Sequence, residues 1–300
     1  MSQVDPKFEE YRPALSRLAY RMLGSQSDAD DVMQEAYLRW TQANRQSVKS
    51  PRAYLHSVVT HLCIDQRKTI EERKQTYVGP WLPEPIVEAG SAAPQDRVEA
   101  AESVSMALLL ILESLSPTER AAYLLRRIFD YPYDEIAEIL GKPEPGCRQL
   151  VSRAEVRILE RRPRFEADPA KVERLTEAFI QACGTGDLQG LVQLLAADAV
   201  LYSDGGGKVA AALAPIRGAD HIARFFLGIM KKAPPGLEIG RVRVNGQPGL
   251  LVVLNGEIVN LLTFDVVDGR LSTCFIVRNP EKLARIGIAR VMPEAPSGGQ

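Results

Sequence analysis

Between Phe8 and Arg73, apolar residues recur every three to four positions in three separate runs. Leu15, Leu18, Ala19, Met22 and Leu23 form one helical stripe, and Gly24 ends it. Val32, Met33, Ala36, Tyr37 and Trp40 form the second, behind a capping-box-like start in which Ser27 stands three residues before Asp30. Ser50 and Pro51 open the third, a cap followed by proline at the first helical position, and Leu55, Val58, Val59 and Leu62 make its stripe. These three helices predict a small all-α module. A second helical block is expected from about Val98 to Arg164. Within it, Ser116 to Glu119 (SPTE) combines an N-cap, a first-position proline and a glutamate in the third position, and Asp130-Tyr131-Pro132 interrupts the chain. YDEIAEILG, KPEPG and CRQLVSRAEVRILERR then read as two short helices joined by a tight turn at Gly141. This is the helix-turn-helix layout, with the small Ala137 where the helices must approach closely.

Beyond Pro169 the period changes. One amphipathic helix is expected from about Lys171 to Cys183 and a shorter one after Asp187, then an apolar segment Val200 to Ser203, the turn-like DGGGK and a helix from Ala219 to about Lys231. LEIGRVRV, LLVVL, EIVNLLTFDVV and LSTCFIVR follow as strands. They are separated by Asn245-Gly246, Asn255-Gly256 and Asp268-Gly269, each a strong hairpin signal. Helices followed by an antiparallel sheet predict an α+β domain, and the closing MPEAPSGGQ reads as disordered. Between the two helical blocks lies YVGPWLPEPIVEAG, extended by its prolines and carrying one of the two tryptophans. A purely flexible linker is built from Gly and Ser, so Trp81, Leu82 and Ile86 are expected to dock on another part of the chain.

Composition narrows the class. With 45% hydrophobic and 25% charged residues over 300 positions, the chain is an ordinary globular protein long enough for two or three domains. No apolar run approaches the ~20 residues of a membrane span and the N-terminus has no signal-like pattern, so a cytoplasmic protein without membrane contact is expected. Cys63, Cys147, Cys183 and Cys274 lie far apart with no neighbouring His, which suggests neither a metal site nor disulfides, and no cofactor is expected. The net charge of −1 gives no sign of nucleic-acid binding, but Lys142 to Arg164 holds seven Lys/Arg against three Glu.

That basic stretch is also the final helix of the helix-turn-helix. Its apolar face is Cys147, Leu150, Val151, Ala154 and Ile158, which leaves Arg148, Gln149, Ser152, Arg153 and Arg157 outward, the donor types that read base edges and neutralise phosphates. In the first module Asp28, Asp31 and Glu35 share one helix face with Gln34 beside them. Acids near a helix N-terminus, with a Glu35–Arg39 pair, account for this locally; a docking surface for a basic partner accounts for it functionally. On the third helix Thr60, His61, Arg67 and Lys68 lie mainly off the apolar stripe and read as a polar, basic face. In the C-terminal domain Asp198, Asp204, Asp220 and His221 are scattered and form no acid-base set, so a domain without chemistry is expected. DGGGK is not a phosphate loop, since Val209 stands where Ser or Thr is required; its glycines fit a turn with Asp204 and Lys208 available for contacts.

DADDVMQEAYLRW, SPRAYLHSVVTHLCIDQRK and LSPTERAAYLLRRIFDYPYDEIAEILGKPEPGCRQLVSRAEVRI, in this order and separation, resemble the two domains of an extracytoplasmic-function sigma factor. With WLPEP, DGGGK and the closing NPEKL at Asn279 to Leu283, the chain is similar to the subgroup with a fused SnoaL-like domain of the cone-shaped, ketosteroid-isomerase-like fold. The resemblance implies a region 2 domain (1–75), a proline-rich linker (76–97), a region 4 domain (98–166), a SnoaL-like regulatory domain (167–286) and a C-terminal tail (287–300). It further implies that Asp28, Asp31, Gln34 and Glu35 bind the β′ clamp helices of core RNA polymerase, with the β flap as a second contact. Asn44, Thr60, His61, Arg67 and Lys68 would engage the single-stranded minus-ten promoter element, and Arg148, Gln149, Ser152, Arg153 and Arg157 the minus-thirty-five element. Trp81, Leu82, Pro83, Asp204, Lys208, Asn279 and Pro280 would control activity in cis, and the cone has room for a small-molecule ligand. Two rivals stand beside this reading: a one-component helix-turn-helix regulator with a ligand domain, which leaves the first module unexplained, and a SnoaL-like cyclase or isomerase fused to a DNA-binding module.

Overall fold

A computed structural model describes residues 5–46, 48–88, 104–161 and 169–286. They belong to two compact units: one takes the chain up to Thr76 and from Leu109 to Arg162, the other Tyr77–Leu108 and the chain from Pro163 onward. The expected tail and the start of the second helical block, residues 98–103, lie outside the described residues.

The first unit is helical. Helix α1 (Pro6–Leu23) ends where Gly24 takes the left-handed conformation, φ 70°, and its amide bonds Tyr20 O. Helix α2 (Gln26–Gln42) is capped by Ser25, whose Oγ accepts from Asp28 N, so the start lies two residues before the expected Ser27. Helix α3 (Pro51–Gln75) starts as the Ser50-Pro51 signal predicts, with Ser50 Oγ accepting from Ala53 N. Phe8, Leu15, Leu18, Met22, Trp40, Leu55 and Val59 fill the space between these three helices. Helix α4 (Met106–Leu112) straddles the boundary between the units. Helix α5 (Pro117–Arg127) opens with the complete Ser116/Glu119 capping box. Helices α6 (Tyr133–Leu140) and α7 (Glu144–Arg161) are joined through Gly141 at φ 61°, where Lys142 N bonds Ala137 O, a Schellman-type stop.

The second unit is built on one seven-stranded sheet. Helices α8 (Pro169–Thr185) and α9 (Leu188–Leu194) lead into β2 (Leu195–Asp204); β3 (Ile216–Arg217) and α10 (Ala219–Met230) follow. Strands β4 (Leu237–Val244), β5 (Gln247–Leu254), β6 (Glu257–Val267) and β7 (Arg270–Val277) form a meander, and a short helix α11 (Pro280–Leu283) closes the described chain. All three forecast hairpins have both turn residues at positive φ (Asn245 51° and Gly246 75°, Asn255 52° and Gly256 79°, Asp268 48° and Gly269 77°), the type I′ geometry that matches strand twist. Val172, Phe179, Leu191, Ile222 and Phe226 from the helices pack on Leu250, Leu262, Phe264 and Ile276 of the sheet.

Two features depart from the expected antiparallel sheet. Strand β2 runs parallel to β7. A strand β1 (Val87–Glu88), supplied by the proline-rich linker, pairs with β4 through Val87–Val244 and Glu88–Arg243 and gives the sheet order β1-β4-β5-β6-β7-β2-β3.

Candidate functional site

Three surfaces of the helical unit carry the expected residues. On α2, Asp31, Gln34 and Glu35 are exposed and share their face with Leu38, which is 52% exposed despite its apolar side chain. Asp28 belongs to a different environment: half-buried, it accepts from Gln66 Nε2 at 3.2 Å and Arg73 Nη2 at 3.0 Å and so ties α2 to α3. Glu35 makes the anticipated pair with Arg39 at 2.9 Å.

On α3 the expected basic face is divided. His61 and Lys68 are exposed, His61 donating to Ser57 O at 2.8 Å and Lys68 pairing with Asp65 at 3.3 Å, and Asn44 is exposed in the loop before the helix. Thr60 and Arg67, expected on that surface, are instead 0% and 1% exposed. The reason is tertiary. Arg67 Nη1 donates to both carboxylate oxygens of Glu113 at 2.9 Å, Arg120 Nη1 donates to the same carboxylate at 2.7 Å, and Lys74 completes the ring of cations. Arg120 Nε also donates to Arg21 O at 2.9 Å, binding α5 to α1. Burial alone would raise the Glu113 pKa, yet Arg120, Arg67 and Lys74 outweigh it and bring the carboxyl down to about 2.

The same packing continues beside this network. Ser57 Oγ donates to Ile139 O at 3.2 Å, the guanidinium of Arg52 lies 4.4 Å from the Tyr131 ring, and the His56 ring lies 5.2 Å from it. Burial pushes the His56 pKa down to about 4, so the ring is neutral in the fold. Arg67, expected to touch DNA, is therefore part of the contact between the three-helix module and the helical block that follows it.

On α7 the stripe Cys147, Leu150, Val151, Ala154 and Ile158 is buried as expected, and Arg148, Gln149, Ser152, Arg153 and Arg157 face outward. Arg148 lies 4.2 Å above the Tyr133 ring of α6. Arg153 and Arg157 lean back on Glu119, at 3.3 and 2.7 Å, so the capping-box glutamate of α5 also orients two basic side chains of α7. Burial opposes ionisation of Glu119, but its bonds from Ser116 and these arginines lower its pKa on balance.

The second unit contains an assembly around Asp204, a 0% exposed carboxylate at the end of β2. Oδ1 accepts from Tyr77 Oη at 2.6 Å and Gly206 N at 3.1 Å; Oδ2 accepts from Leu82 N at 2.8 Å and Lys282 Nζ at 2.7 Å. Its backbone oxygen accepts from Arg278 N at 2.7 Å and Asn279 N at 2.9 Å. Lys282 also donates to Leu82 O and lies 4.4 Å from the centre of the Trp81 indole. Asn279 Nδ2 donates to Tyr77 Oη at 2.9 Å, and burial followed by the Asp204 carboxylate pushes the tyrosine pKa up. A side chain on Gly206 would sit 2.4 Å from Asn279 Nδ2, which explains a glycine at that point of DGGGK; Lys208 makes an outer ion pair with Glu281.

A second clamp holds the other half of the linker. Buried Asn245 exchanges backbone and side-chain bonds with Ile86: its N donates to Ile86 O at 2.8 Å and its Oδ1 accepts from Ile86 N at 3.0 Å. Its Nδ2 donates to Val104 O at 3.2 Å, and Gly246 N donates to Glu88 Oε1 at 2.8 Å. Val87 and Glu88 of the linker are thus added to the sheet edge as a strand, and the described part of the linker is held at Tyr77 and Leu82 and again at Ile86 and Glu88. Trp81, Leu82, Asp204 and Asn279, expected among the regulatory residues, lie together in this assembly. Sequence reasoning missed Tyr77, Lys282, Asn245 and Glu88. The lysine of NPEKL was a readable signal, whereas Asn245 looked like a hairpin residue only.

The remaining candidates stay apart. Asp198 and His221 are exposed, Asp220 pairs with Arg224 at 2.7 Å, and none of Asp198, Asp204, Asp220 and His221 lines the cavity between the sheet and its helices. Among the described residues the four cysteines are free and buried, no group of His, Cys, Asp and Glu could hold a metal ion, and no helix is long and apolar enough to cross a membrane.

Comparison with known proteins follows the same division. Residues 8–73 match the family model of Sigma-70 region 2 and residues 105–158 that of Sigma-70, region 4. The ECF RNA polymerase sigma factor SigJ of Mycobacterium tuberculosis is 34% identical over 92% of this chain and 92% of its own, and the probable ECF RNA polymerase sigma factor SigI of the same species is 31% identical over 94% and 97%. The crystal structure of the M. tuberculosis SigJ protein superposes with a TM-score of 0.75 at 33% identity, covering 92% of this chain and 97% of that one.

Proposed function

The chain belongs to the extracytoplasmic-function RNA polymerase sigma factors, and from that premise we propose that its own C-terminal domain sets when it initiates transcription, by gripping the linker between the two sigma domains. The Asp204 clasp carries this reading: one buried carboxylate receives two donors from the linker, Tyr77 Oη and Leu82 N. Tyr77 follows α3 by two residues and the Asn245-bound Val104 precedes α4 by two, so the clamps hold the connection between the sigma domains where it leaves α3 and where it reaches α4.

In this reading the conformation described is a resting one. Promoter melting needs α3 to meet single-stranded DNA through stacking and a basic groove, but Thr60 and Arg67 are covered by packing within the helical unit. Release of the linker lets the two sigma domains separate, freeing Arg67 to join Asn44, His61 and Lys68 on the minus-ten element. Exposed Asp31, Gln34 and Glu35, with Leu38 beside them, are the docking face for the polymerase β′ clamp helices, and Asp28 supports that face by fixing α2 on α3. The β flap is the partner of the region 4 domain. Arg148, Gln149 and Ser152 read the minus-thirty-five element, while Arg153 and Arg157 contact its phosphates. The region 2 match speaks against a one-component regulator that works without polymerase, and in this reading the C-terminal domain acts as a regulator rather than a catalyst.

Run-off transcription with core RNA polymerase, the full chain and a pooled genomic template tests this reading. Charge reversal at Asp31 and Glu35 is expected to abolish core binding and initiation together, and Arg148→Ala with Gln149→Ala to spare core binding while initiation is lost. Asp204→Asn is expected to raise initiation above wild type; equal initiation by both would remove control through the clasp.

A further inference from the structure

The cavity of the C-terminal domain is about 840 Å³, in the upper part of the range of roughly 300–1,000 Å³ typical of small-molecule sites. Its wall is apolar over most of its area, from Phe179, Phe226 and Ile229 on the helices to Leu250, Val252 and Leu262 on the sheet. The polar groups are not spread evenly. Ser203, Asn260 and Arg278 lie at one end, on the neighbouring strands β2, β6 and β7 or directly beyond them.

Strand register explains this grouping. Leu261 pairs with Val277, so the next step of the antiparallel ladder places Asn260 opposite Arg278, and Ser203 pairs with Ile276, two residues before Arg278 on the same face. Asn260 is also beside the β5–β6 bulge, where the register shifts between Val252 and Val253; bulges re-aim side chains at sites.

Two of these groups lack partners that buried polar atoms ordinarily have. Asn260 Oδ1 and Arg278 Nε are both buried without a hydrogen bond. Arg278 donates through Nη1 to Ala210 O, but among the described residues no carboxylate pairs with it. The other charged residues of the wall, Arg224 and Lys232, are cations, and the wall contains no Asp or Glu. A half-buried guanidinium facing an apolar cavity without a counter-ion is costly, and burial lowers its pKa accordingly.

We propose that this cavity binds an amphiphilic carboxylate, an apolar chain or ring body ended by one anionic group, with Arg278 receiving the carboxylate and Asn260 and Ser203 completing its hydrogen bonds. A planar guanidinium suits a carboxylate, and the apolar wall takes the rest of the molecule. This assignment is independent of how the linker is controlled, although Arg278 and Ser203 stand next in sequence to Asn279 and Asp204 of the clasp.

Calorimetric titration of the full chain with decanoate, 1-decanol and decyltrimethylammonium, each kept below its aggregation concentration, tests the proposal. Decanoate is expected to bind at least about tenfold more tightly than decanol, as a charge-assisted bond in a dry site implies, with the cation unbound. Arg278→Gln should cost decanoate at least about tenfold and leave decanol unchanged. Equal affinity for acid and alcohol, retention of decanoate binding by Arg278→Gln, or binding of neither probe would each overturn it. Should Arg278→Gln not fold, the comparison of acid with alcohol on the wild-type chain decides alone.

Discussion

Substituting Asp204 by Asn removes the charge at the centre of the clasp while keeping its shape. Four donors converge on the carboxylate, among them the ammonium of Lys282, which is 8% exposed. An amide cannot accept on both sides: its NH₂ must face either Tyr77 Oη and Gly206 N, or Leu82 N and the ammonium. Breaking a buried ion pair by deleting one partner costs about 3–5 kcal/mol. The lower end applies here, because Lys282 keeps its bond to Leu82 O and its place over the Trp81 ring. A loss of about 3 kcal/mol in the free energy of local opening speeds amide exchange by on the order of 10²-fold. Hydrogen exchange read by mass spectrometry should find this acceleration in peptides covering residues 77–88, with α8 and α10 retaining wild-type protection. Unchanged protection of 77–88 would refute the clasp, and uniform loss of protection throughout the domain would show that Asp204 supports the fold rather than the linker.

Three further outcomes follow from buried charge. Glu113→Gln leaves Arg67, Arg120 and Lys74 around a neutral amide, so the helical unit should lose about 3–5 kcal/mol in urea unfolding, and a change below about 1 kcal/mol would contradict the assigned role of the network. His56 has a folded pKa of about 4 against 6.5, so the unfolded chain binds more protons between these values; stability should fall by roughly 3 kcal/mol as pH drops from 6.5 to 4 and stay flat above, and His56→Gln should remove that slope. Asp265 is buried with Oδ2 unpartnered, and burial raises its pKa to about 8. Its neutral form is the folded one, so its contribution should weaken as pH rises from about 4 to 8, a trend that Asp265→Asn should abolish in pH-dependent thermal melts.

What the sequence disclosed was whatever is decided locally. Asn-Gly and Asp-Gly set type I′ turns within two residues, Ser50-Pro51 and Ser116–Glu119 set helix starts, and the spacing of Cys147, Leu150, Val151, Ala154 and Ile158 determines which side of α7 faces outward. What it concealed depends on partners distant along the chain. Arg67 has the composition of a nucleic-acid contact and becomes a core residue only because Glu113 and Arg120 meet it. Val87 and Glu88 are too few to signal a strand, and it is the edge of β4 that makes them one. Trp81 announced that the linker docks, but its partner, Lys282, lies some 200 residues further on, as the separation of the Leu82–Lys282 bond records. Helix α2 starts at Gln26 because Ser25, rather than Ser27, reaches the Asp28 amide; two serines that close give equal signals in sequence.

Restraint of this sigma factor by its own C-terminal domain through the linker is tested by the amount of run-off transcript made by core RNA polymerase with wild-type chain and with Asp204→Asn, at equal occupancy of the core enzyme. Promoter-dependent transcripts are expected from both, starting at the same positions and more abundant with the variant. Equal yields, or a variant that binds core and initiates less, would contradict it and make the docked linker a requirement for initiation.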